Sequence, residues 1–164
     1  MIVVSNASPI IILSQIGLFS LLKSLFHEIQ IPQAVYDEVV EQGKGRAGST
    51  QARKALNIWL YAKQVLDAPR PHYLPATLTK TDIAVLRLAQ QIKADVVLTD
   101  DLMLRKAGQK LGFLVAGVGG ILLKAKHAEL IETVRDPLAE AIAHGLHFSE
   151  ALRQELFRAA GEEE

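Results

Sequence analysis

Acidic or amide side chains follow apolar runs at four separate places in this sequence. The four stretches are Ser5-Asn6-Ala7-Ser8, Tyr36-Asp37-Glu38, Thr81-Asp82 and Thr99-Asp100-Asp101. Hard divalent cations such as Mg²⁺ bind oxygen ligands, and those ligands can come from segments that lie far apart along a chain. The pattern therefore favours a metal-dependent reaction.

Each of these acids also has an ordinary structural role open to it. Asp82 is well placed to begin a helix, where the helix dipole stabilises a negative charge. Asp100 suits a helix cap, and Glu38 could be a surface carboxylate. Taken singly, each structural role is the more common one, so only their meeting at one place would indicate a site.

The elements that would position these side chains alternate along the chain. Short β-branched or apolar runs predict strands over residues 2–4, 28–31, 96–98 and 113–115. Helical spacing or propensity predicts helices over residues 9–26, 32–42, 50–62, 81–92, 102–111 and 120–127. Alternating strands and helices predict a doubly wound α/β domain with a parallel sheet.

Such a topology would bring the acidic positions to one edge of the sheet. Ligands of open parallel sheets bind outside the carboxyl ends of the strands. Asn6 follows the first predicted strand, whereas Asp100 and Asp101 follow another. Glu38 and Asp82 lie on helices with apolar faces, so we expect them to project toward the same crevice.

The end of the chain differs from the rest. Residues 136–144 and 149–160 predict two further helices, and Ser149 is a suitable cap for the second. Apolar Leu152, Leu156 and Ala159 recur there at helical spacing. We expect residues 1–133 to form the main domain and residues 134–164 a helical extension of it, packed on the sheet edge or on a second copy.

Composition excludes several classes of protein. The chain has 164 residues and no cysteine, which rules out disulfides, thiolate zinc sites and cysteine nucleophiles. Its longest apolar run, residues 9–13, is far too short to span a bilayer, so we expect no membrane association and a cytoplasmic location. The histidines lack zinc-site spacing, no serine lies in a G-x-S-x-G elbow, and Gly117-Val-Gly-Gly120 is better explained as a tight strand-to-helix turn than as a phosphate loop.

A formal net charge of zero hides an uneven distribution. Residues 44–126 carry fourteen basic and five acidic side chains, whereas residues 127–164 carry three basic and nine acidic ones. The basic segment would suit a phosphate backbone. An ordinary mixed surface explains it equally well, because a segment's total charge does not show clustering in space.

Four segments, in order, resemble the motifs of PIN-domain proteins. They are residues 2–10, 31–39, 82–89 and 94–101, with residues 116–126 as a later match. The likeness is closest to the small prokaryotic branch related to the toxin nucleases of toxin-antitoxin pairs. It implies a three-layer α/β/α sandwich around a central, mostly parallel sheet, which holds Mg²⁺ or Mn²⁺ and hydrolyses RNA phosphodiester bonds.

The resemblance also implies roles for individual residues. The catalytic acids would be Glu38, Asp82 and Asp101; the metal ligands would be Asn6, Glu38, Asp82, Asp100 and Asp101; Ser8 and Thr99 would support the pocket. Arg46, Lys80, Arg105 and Lys106 are the candidate RNA contacts. The implied partners are RNA, an antitoxin-like protein and a second copy of the chain.

Asn6 departs from the motif, which usually has Asp at this position. An amide oxygen is a legitimate ligand for Mg²⁺, but the change removes one negative charge. The sequence therefore leaves open an active nuclease and a catalytically weakened module that binds RNA or protein. A phosphatase-like domain with Asp101 as nucleophile is a third alternative.

Overall fold

The computed structural model describes residues 1–163, in which five strands alternate with helices. The strands are β1 (Val3–Ser5), β2 (Ile29–Pro32), β3 (Leu60–Lys63), β4 (Val96–Leu98) and β5 (Leu114–Ala116). The helices are α1 (Ala7–Gln15), α2 (Ser20–Phe26), α3 (Gln33–Tyr36), α4 (Ser49–Ala55), α5 (Lys80–Gln91), α6 (Leu102–Lys110), α7 (Val118–His127), α8 (Arg135–Ala143) and α9 (Glu150–Ala160). A π-helical turn (Asp37–Glu41) directly follows α3.

The strands form one parallel sheet in the order β3-β2-β1-β4-β5. Val3 of β1 pairs with Val96 of β4, and Ser5 pairs with Leu98. Every residue of β1 and β4 is buried, as expected for central strands that are covered on both faces. Because β1 and β4 are parallel neighbours, the residues that follow them meet at the carboxyl edge of the sheet.

Helices cover both faces of the sheet and produce three layers. On one face, α5 packs against β1 and β2, and α6 packs against β5. On the other face, α7 packs against β5 and contacts α1 and α2, while α8 and α9 lie against α7. The expected three-layer α/β/α fold with a parallel sheet is confirmed.

One strand was missed by the sequence analysis. The helix predicted over residues 50–62 is wrong in its second half, because α4 ends at Ala55 and Leu60–Lys63 forms β3 beside β2. Asn57 adopts a positive φ of 63°, a left-handed conformation that asparagine tolerates and that breaks the helix. A short apolar run has no periodicity that separates a buried strand from a helical turn.

Two other predicted helices are interrupted. The helix predicted over residues 9–26 is divided into α1 and α2 near Gly17, whose φ is 74°. The helix predicted over residues 32–42 continues beyond α3 as the π-helical turn, which carries Glu38. Turns of this kind alter the direction of side chains and are frequent at functional sites.

The two predicted tail helices are present as α8 and α9, and Ser149 caps α9 through a 3.2 Å hydrogen bond from the Leu152 N–H. Beyond α9, Glu162 accepts hydrogen bonds from Lys126 Nζ at 2.9 Å and from the Val134 N–H at 2.8 Å. These bonds attach the tail to α7 and to the start of α8. Within residues 1–163, no helix has the length and apolar character needed to cross a lipid bilayer.

Candidate active site

Polar side chains join the carboxyl ends of β1 and β4. Asn6 Nδ2 donates to Thr99 Oγ1 at 2.7 Å, and both residues are buried. Asn6 Oδ1 accepts from the N–H and the hydroxyl of Ser8, at 3.2 and 3.1 Å, so Asn6 also caps α1. Ser8 and Thr99, the two residues expected to support the pocket, therefore both bond to the Asn6 side chain.

Asp100 is the acid that joins this network. Its Oδ1 accepts from the Val118 N–H at 2.8 Å, and its Oδ2 lies 3.4 Å from Ser8 Oγ. Burial raises the pKa of the Asp100 carboxyl above its usual range, although the bonds from Val118 and Ser8 and the charge of Arg105 act in the opposite direction. Asp100 is therefore a partly desolvated acid with incomplete charge compensation.

Gly117, the residue before α7, provides the space for Asp100. A Cβ atom at position 117 would collide with Asp100 Oδ1 and would lie 3.0 Å from Arg105 Nη2 and 3.1 Å from the Thr99 carbonyl oxygen. Only glycine leaves room for the carboxylate and the guanidinium together. The glycine run does form the expected strand-to-helix turn, but its contact with Asp100 depends on the folded sheet.

Glu38 and Asp82 are two further acids that lie near each other. Glu38 is exposed on the π-helical turn, and Asp82 lies in the first turn of α5. Partial burial of the carboxyl group, and then the negative charge of Asp82, raise the pKa of Glu38. Their electrostatic interaction shows that the fold brings together two acids separated by more than forty residues of sequence.

Part of the Asp82 carboxylate also has a structural role. Asp82 Oδ2 accepts from the Thr79 N–H at 3.0 Å, and Thr79 Oγ1 accepts from the Asp82 N–H at 3.1 Å. This reciprocal pair is a capping box that starts α5. The structural role foreseen for Asp82 therefore holds beside its pairing with Glu38.

Asp101 is exposed and caps α6. Its Oδ1 accepts from the Leu104 N–H at 2.8 Å, while its own N–H donates to Thr99 Oγ1 at 3.0 Å. The sequence analysis assigned a possible cap to Asp100, but the structure gives that role to Asp101. Asp101 is thus tied to the Asn6 network through Thr99, with one carboxylate oxygen already used.

The four candidate RNA contacts differ in exposure. Arg46, Lys80 and Lys106 are exposed, whereas Arg105 is half-buried and its positive charge offsets part of the rise in the pKa of Asp100. Lys80 stands in the first turn of α5, two residues from Asp82. Arg105 therefore differs from the other three in that it also balances part of the charge of Asp100.

The donor set suits a hard divalent cation in chemistry, although it is not gathered into a ready cluster. Among residues 1–163, no three histidine or acidic side chains converge as a metal-binding group. The oxygens that do converge belong to Asp100, Asn6 and Ser8, a set typical of Mg²⁺ or Mn²⁺ and atypical of zinc. Burial raises the pKa of Asp100 and of Glu38, so a cation bound beside either carboxyl group would stabilise its charged form.

Comparison with known families decides the relationship. A family model described as "DUF3368: PIN domain" matches residues 2–162. This chain belongs to the PIN-domain family. The match includes the whole sheet together with α8 and α9, and the family resemblance of the sequence motifs is confirmed. No curated protein matches the chain.

PIN domains are generally nucleases that use divalent metals. In this PIN domain, sequence reasoning identified the polar residues at the ends of β1 and β4 but missed Gly117 and the Val118 N–H. The glycine run was the one signal for them in the sequence, since a backbone donor cannot be identified from residue type.

Proposed function

We propose that this PIN-domain protein is a Mg²⁺- or Mn²⁺-dependent endoribonuclease of the cytoplasm, acting as the toxin of a toxin-antitoxin pair. The observation that carries the proposal is the desolvated Asp100 carboxylate, placed between the Val118 N–H and Arg105 at the carboxyl ends of the central strands. A hydrolase that cuts phosphodiesters needs such underbalanced acids near cationic groups that can receive a phosphate.

The proposed ligands follow from the donor chemistry. Asp100 and the amide oxygen of Asn6 would hold the cation, with Glu38, Asp82 and Asp101 completing the acidic set around it. When bound, the ion would lower the pKa of a water molecule and neutralise charge on the phosphate oxygens. Thr99 fixes the orientation of Asn6 by accepting from its amide nitrogen, and the Ser8 hydroxyl, which donates to the amide oxygen, would give way to the ion.

The remaining acids and bases have separate tasks. The pKa of Glu38 is raised, so its carboxylate is a stronger base than an ordinary one, and we assign it the proton of the attacking water. Arg105 faces Asp100 and is placed to contact the phosphate that is cut, while Arg46, Lys80 and Lys106 would hold the flanking RNA backbone.

A second candidate function is a binding module without catalysis. The observation in its favour is the position of Asn6, whose amide is engaged on both sides by Thr99 and Ser8 and adds no negative charge. Among residues 1–163, no three acidic or histidine side chains are grouped closely enough to hold a metal ion, which also favours a binding module. Such a module would bind RNA or an antitoxin-like protein through the same edge of the sheet.

Both candidates are compatible with self-association. We propose that the protein forms a homodimer and that an antitoxin-like protein restrains it. Light scattering of the purified protein at high micromolar concentration would show the dimer, and a monomer there would contradict it.

One experiment separates the nuclease from the binding module. Wild-type protein would be incubated with single-stranded RNA and Mn²⁺, once without and once with excess chelator. In the third reaction the Asp101→Asn variant would be incubated with the same RNA and Mn²⁺. The nuclease cuts only in the first reaction. Equal cutting in all three, or no cutting while RNA binding persists, would rule out the metal-dependent nuclease.

A further inference from the structure

A largely apolar groove of about 860 Å³ begins at the candidate active site and runs along α9. Asp100 and Arg105 lie at one end of it, and residues of α6, α7 and α9 form its sides. Leu102 and Leu152 line it with side chains that are 60% and 51% exposed. The groove is therefore open to solvent, largely apolar apart from Glu155 of α9, and continuous with Asp100.

An aromatic ring forms a fixed wall of the groove. Phe148 lies directly against Gly119 of α7, where a Cβ atom would be 2.8 Å from two carbons of the ring. Leu156 of α9 is also close, with its Cδ2 at 3.6 Å from the same position. Because a glycine allows this close approach, the ring is held between α7 and α9, and His147 beside it adds a second flat side chain to the lining.

The apolar part of the groove and its charged end suit different parts of one ligand. Arg105 supplies a cation at the point where the apolar lining begins, and the exposed leucines supply surface that water solvates poorly. Unstacked RNA bases bind to apolar and aromatic surfaces while their phosphates contact arginine. A single-stranded nucleotide offers both a free base and a phosphate, whereas a paired duplex hides its bases.

We propose that the groove between α6, α7 and α9 binds an unstacked base of single-stranded RNA, next to a phosphate held at Arg105. The proposal rests on the ribonuclease function above and adds to it a position that holds one base of the substrate. The volume of the groove, about 860 Å³, lies within the roughly 300–1,000 Å³ range of pockets that enclose small molecules. Continuity with Asp100 and Arg105 distinguishes this occupant from a second copy of the chain, which would not need to reach the acids.

The test measures binding, so that it does not depend on catalysis. Single-stranded RNA hexamers, one intact and six each lacking one base but keeping every phosphate, would be titrated against the protein in chelator. If a base occupies the groove, the protein binds a hexamer about tenfold more weakly when the missing base is at one position or at two adjacent positions, as expected for the loss of one stacked base. A base missing elsewhere should change the affinity little.

Two variants locate the effect. Leu152→Glu places a carboxylate in the groove on an exposed helical position, where glutamate is a good helix former. Leu130→Glu is the matched control, because Leu130 is 45% exposed and does not line the groove. In Leu152→Glu, the affinity should no longer depend on which base of the hexamer is missing. In Leu130→Glu, that dependence should remain.

The outcomes separate this proposal from the nuclease itself. A position-dependent loss without any Mn²⁺-dependent cutting would support the groove and contradict catalysis. Cutting by the wild-type protein with the same affinity for all hexamers would overturn the groove. A change from dimer to monomer in Leu152→Glu, with the position-dependent loss intact, would assign the groove to a second copy and also overturn it.

Discussion

Gly117 and Asp100 fit so closely that a side chain on the first would displace the carboxylate of the second. The contact joins the end of β5 to the end of β4, and the Val118 N–H that follows the glycine binds the same carboxylate. The position of Asp100 is therefore set by backbone from a neighbouring strand as well as by its own.

Gly117→Ala should impair the site while the fold remains intact. The added methyl group would push Asp100 Oδ1 away from the Val118 N–H and crowd Arg105. We expect at least a tenfold loss of Mn²⁺-dependent RNA cleavage, comparable with Asp100→Asn, and an unchanged circular dichroism spectrum. Cleavage equal to that of wild type would show that Asp100 does not need this position.

Two substitutions of Asp101 distinguish its role as the cap of α6 from the role of its negative charge in cleavage. They are Asp101→Asn and Asp101→Ala. Asparagine can still accept the Leu104 N–H, whereas alanine cannot, so only Asp101→Ala should lower the free energy of unfolding, by about 1 kcal/mol. Both changes remove the negative charge and should reduce cleavage by about a hundredfold or more. Urea denaturation and initial cleavage rates measure the two effects. Full activity in Asp101→Asn would restrict Asp101 to capping.

Metal binding should stabilise the folded protein. If the ion binds only the native state, Mn²⁺ at a hundred times its dissociation constant adds about 2.7 kcal/mol. Thermal unfolding with and without Mn²⁺ would show the gain, and Asp100→Asn should abolish most of it. Mg²⁺ and Mn²⁺ without any effect on the wild-type melting temperature would contradict the proposed site.

The Glu38 and Asp82 pair predicts a pH-dependent cost to folding. Because the pKa of Glu38 is raised in the folded state, that state binds more protons than the unfolded chain between the two pKa values. Stability from this group is therefore lost as pH rises through that window. Glu38→Gln should raise the free energy of unfolding by about 0.2–0.5 kcal/mol at pH 7.5 and leave it unchanged near pH 4.

A neighbouring acid provides the control for that change. Glu41 is also exposed on the π-helical turn, so Glu41→Gln removes an equal charge from the same element. Urea denaturation at both pH values would compare them. An equal gain in the two variants would assign the effect to general charge and not to the burial of Glu38 and the nearby charge of Asp82.

Glu162 should behave in the opposite way. Burial alone would raise its pKa, but hydrogen bonds from the Val134 N–H, Lys126 and the Arg135 N–H prevail and lower it. Its contribution is present above the unfolded pKa and disappears as pH falls through the lower folded value. Glu162→Gln, at a side chain only 11% exposed, should cost about 1–3 kcal/mol at pH 7 and much less near pH 3.

Glu163 offers a matched comparison for the tail. Its side chain is 57% exposed and pairs with Arg158, so Glu163→Gln should change the free energy of unfolding by less than about 1 kcal/mol. Similar losses in both variants would mean that the tail is held by overall charge and not by the bonds of Glu162.

The sequence predicted the sheet well where the strands are central. Runs such as Val96–Leu98 are apolar throughout because helices cover both of their faces, and a strand with one face in water would alternate instead. β3 was missed because Leu60–Lys63 follows the end of α4 after only four residues, and its short, half-buried run resembles a continuing helix. The π-helical turn was equally invisible, since it differs from an α-helix only in the spacing of its hydrogen bonds.

The candidate site was predictable in residue type but not in geometry. Asn6, Asp100 and Asp101 follow strands, so topology alone brings them to one edge. Which acid would cap α6 and which would be buried depended on one residue of register, and the structure chose Asp101 for the cap. The support that Gly117 and Val118 give to Asp100 comes from a separate strand and requires the assembled sheet.

The hydroxyl of Ser8 has one proton and two acceptors within reach, Asn6 Oδ1 at 3.1 Å and Asp100 Oδ2 at 3.4 Å, while its oxygen also accepts the Asp100 N–H at 3.2 Å. It can serve only one acceptor at a time. A proton added to Asp100 therefore releases that hydroxyl to Asn6, whereas an ion bound to both oxygens would displace it from both. The amide and the acid are thus linked competitors, and a change at either one is transmitted to the other through a single rotating bond.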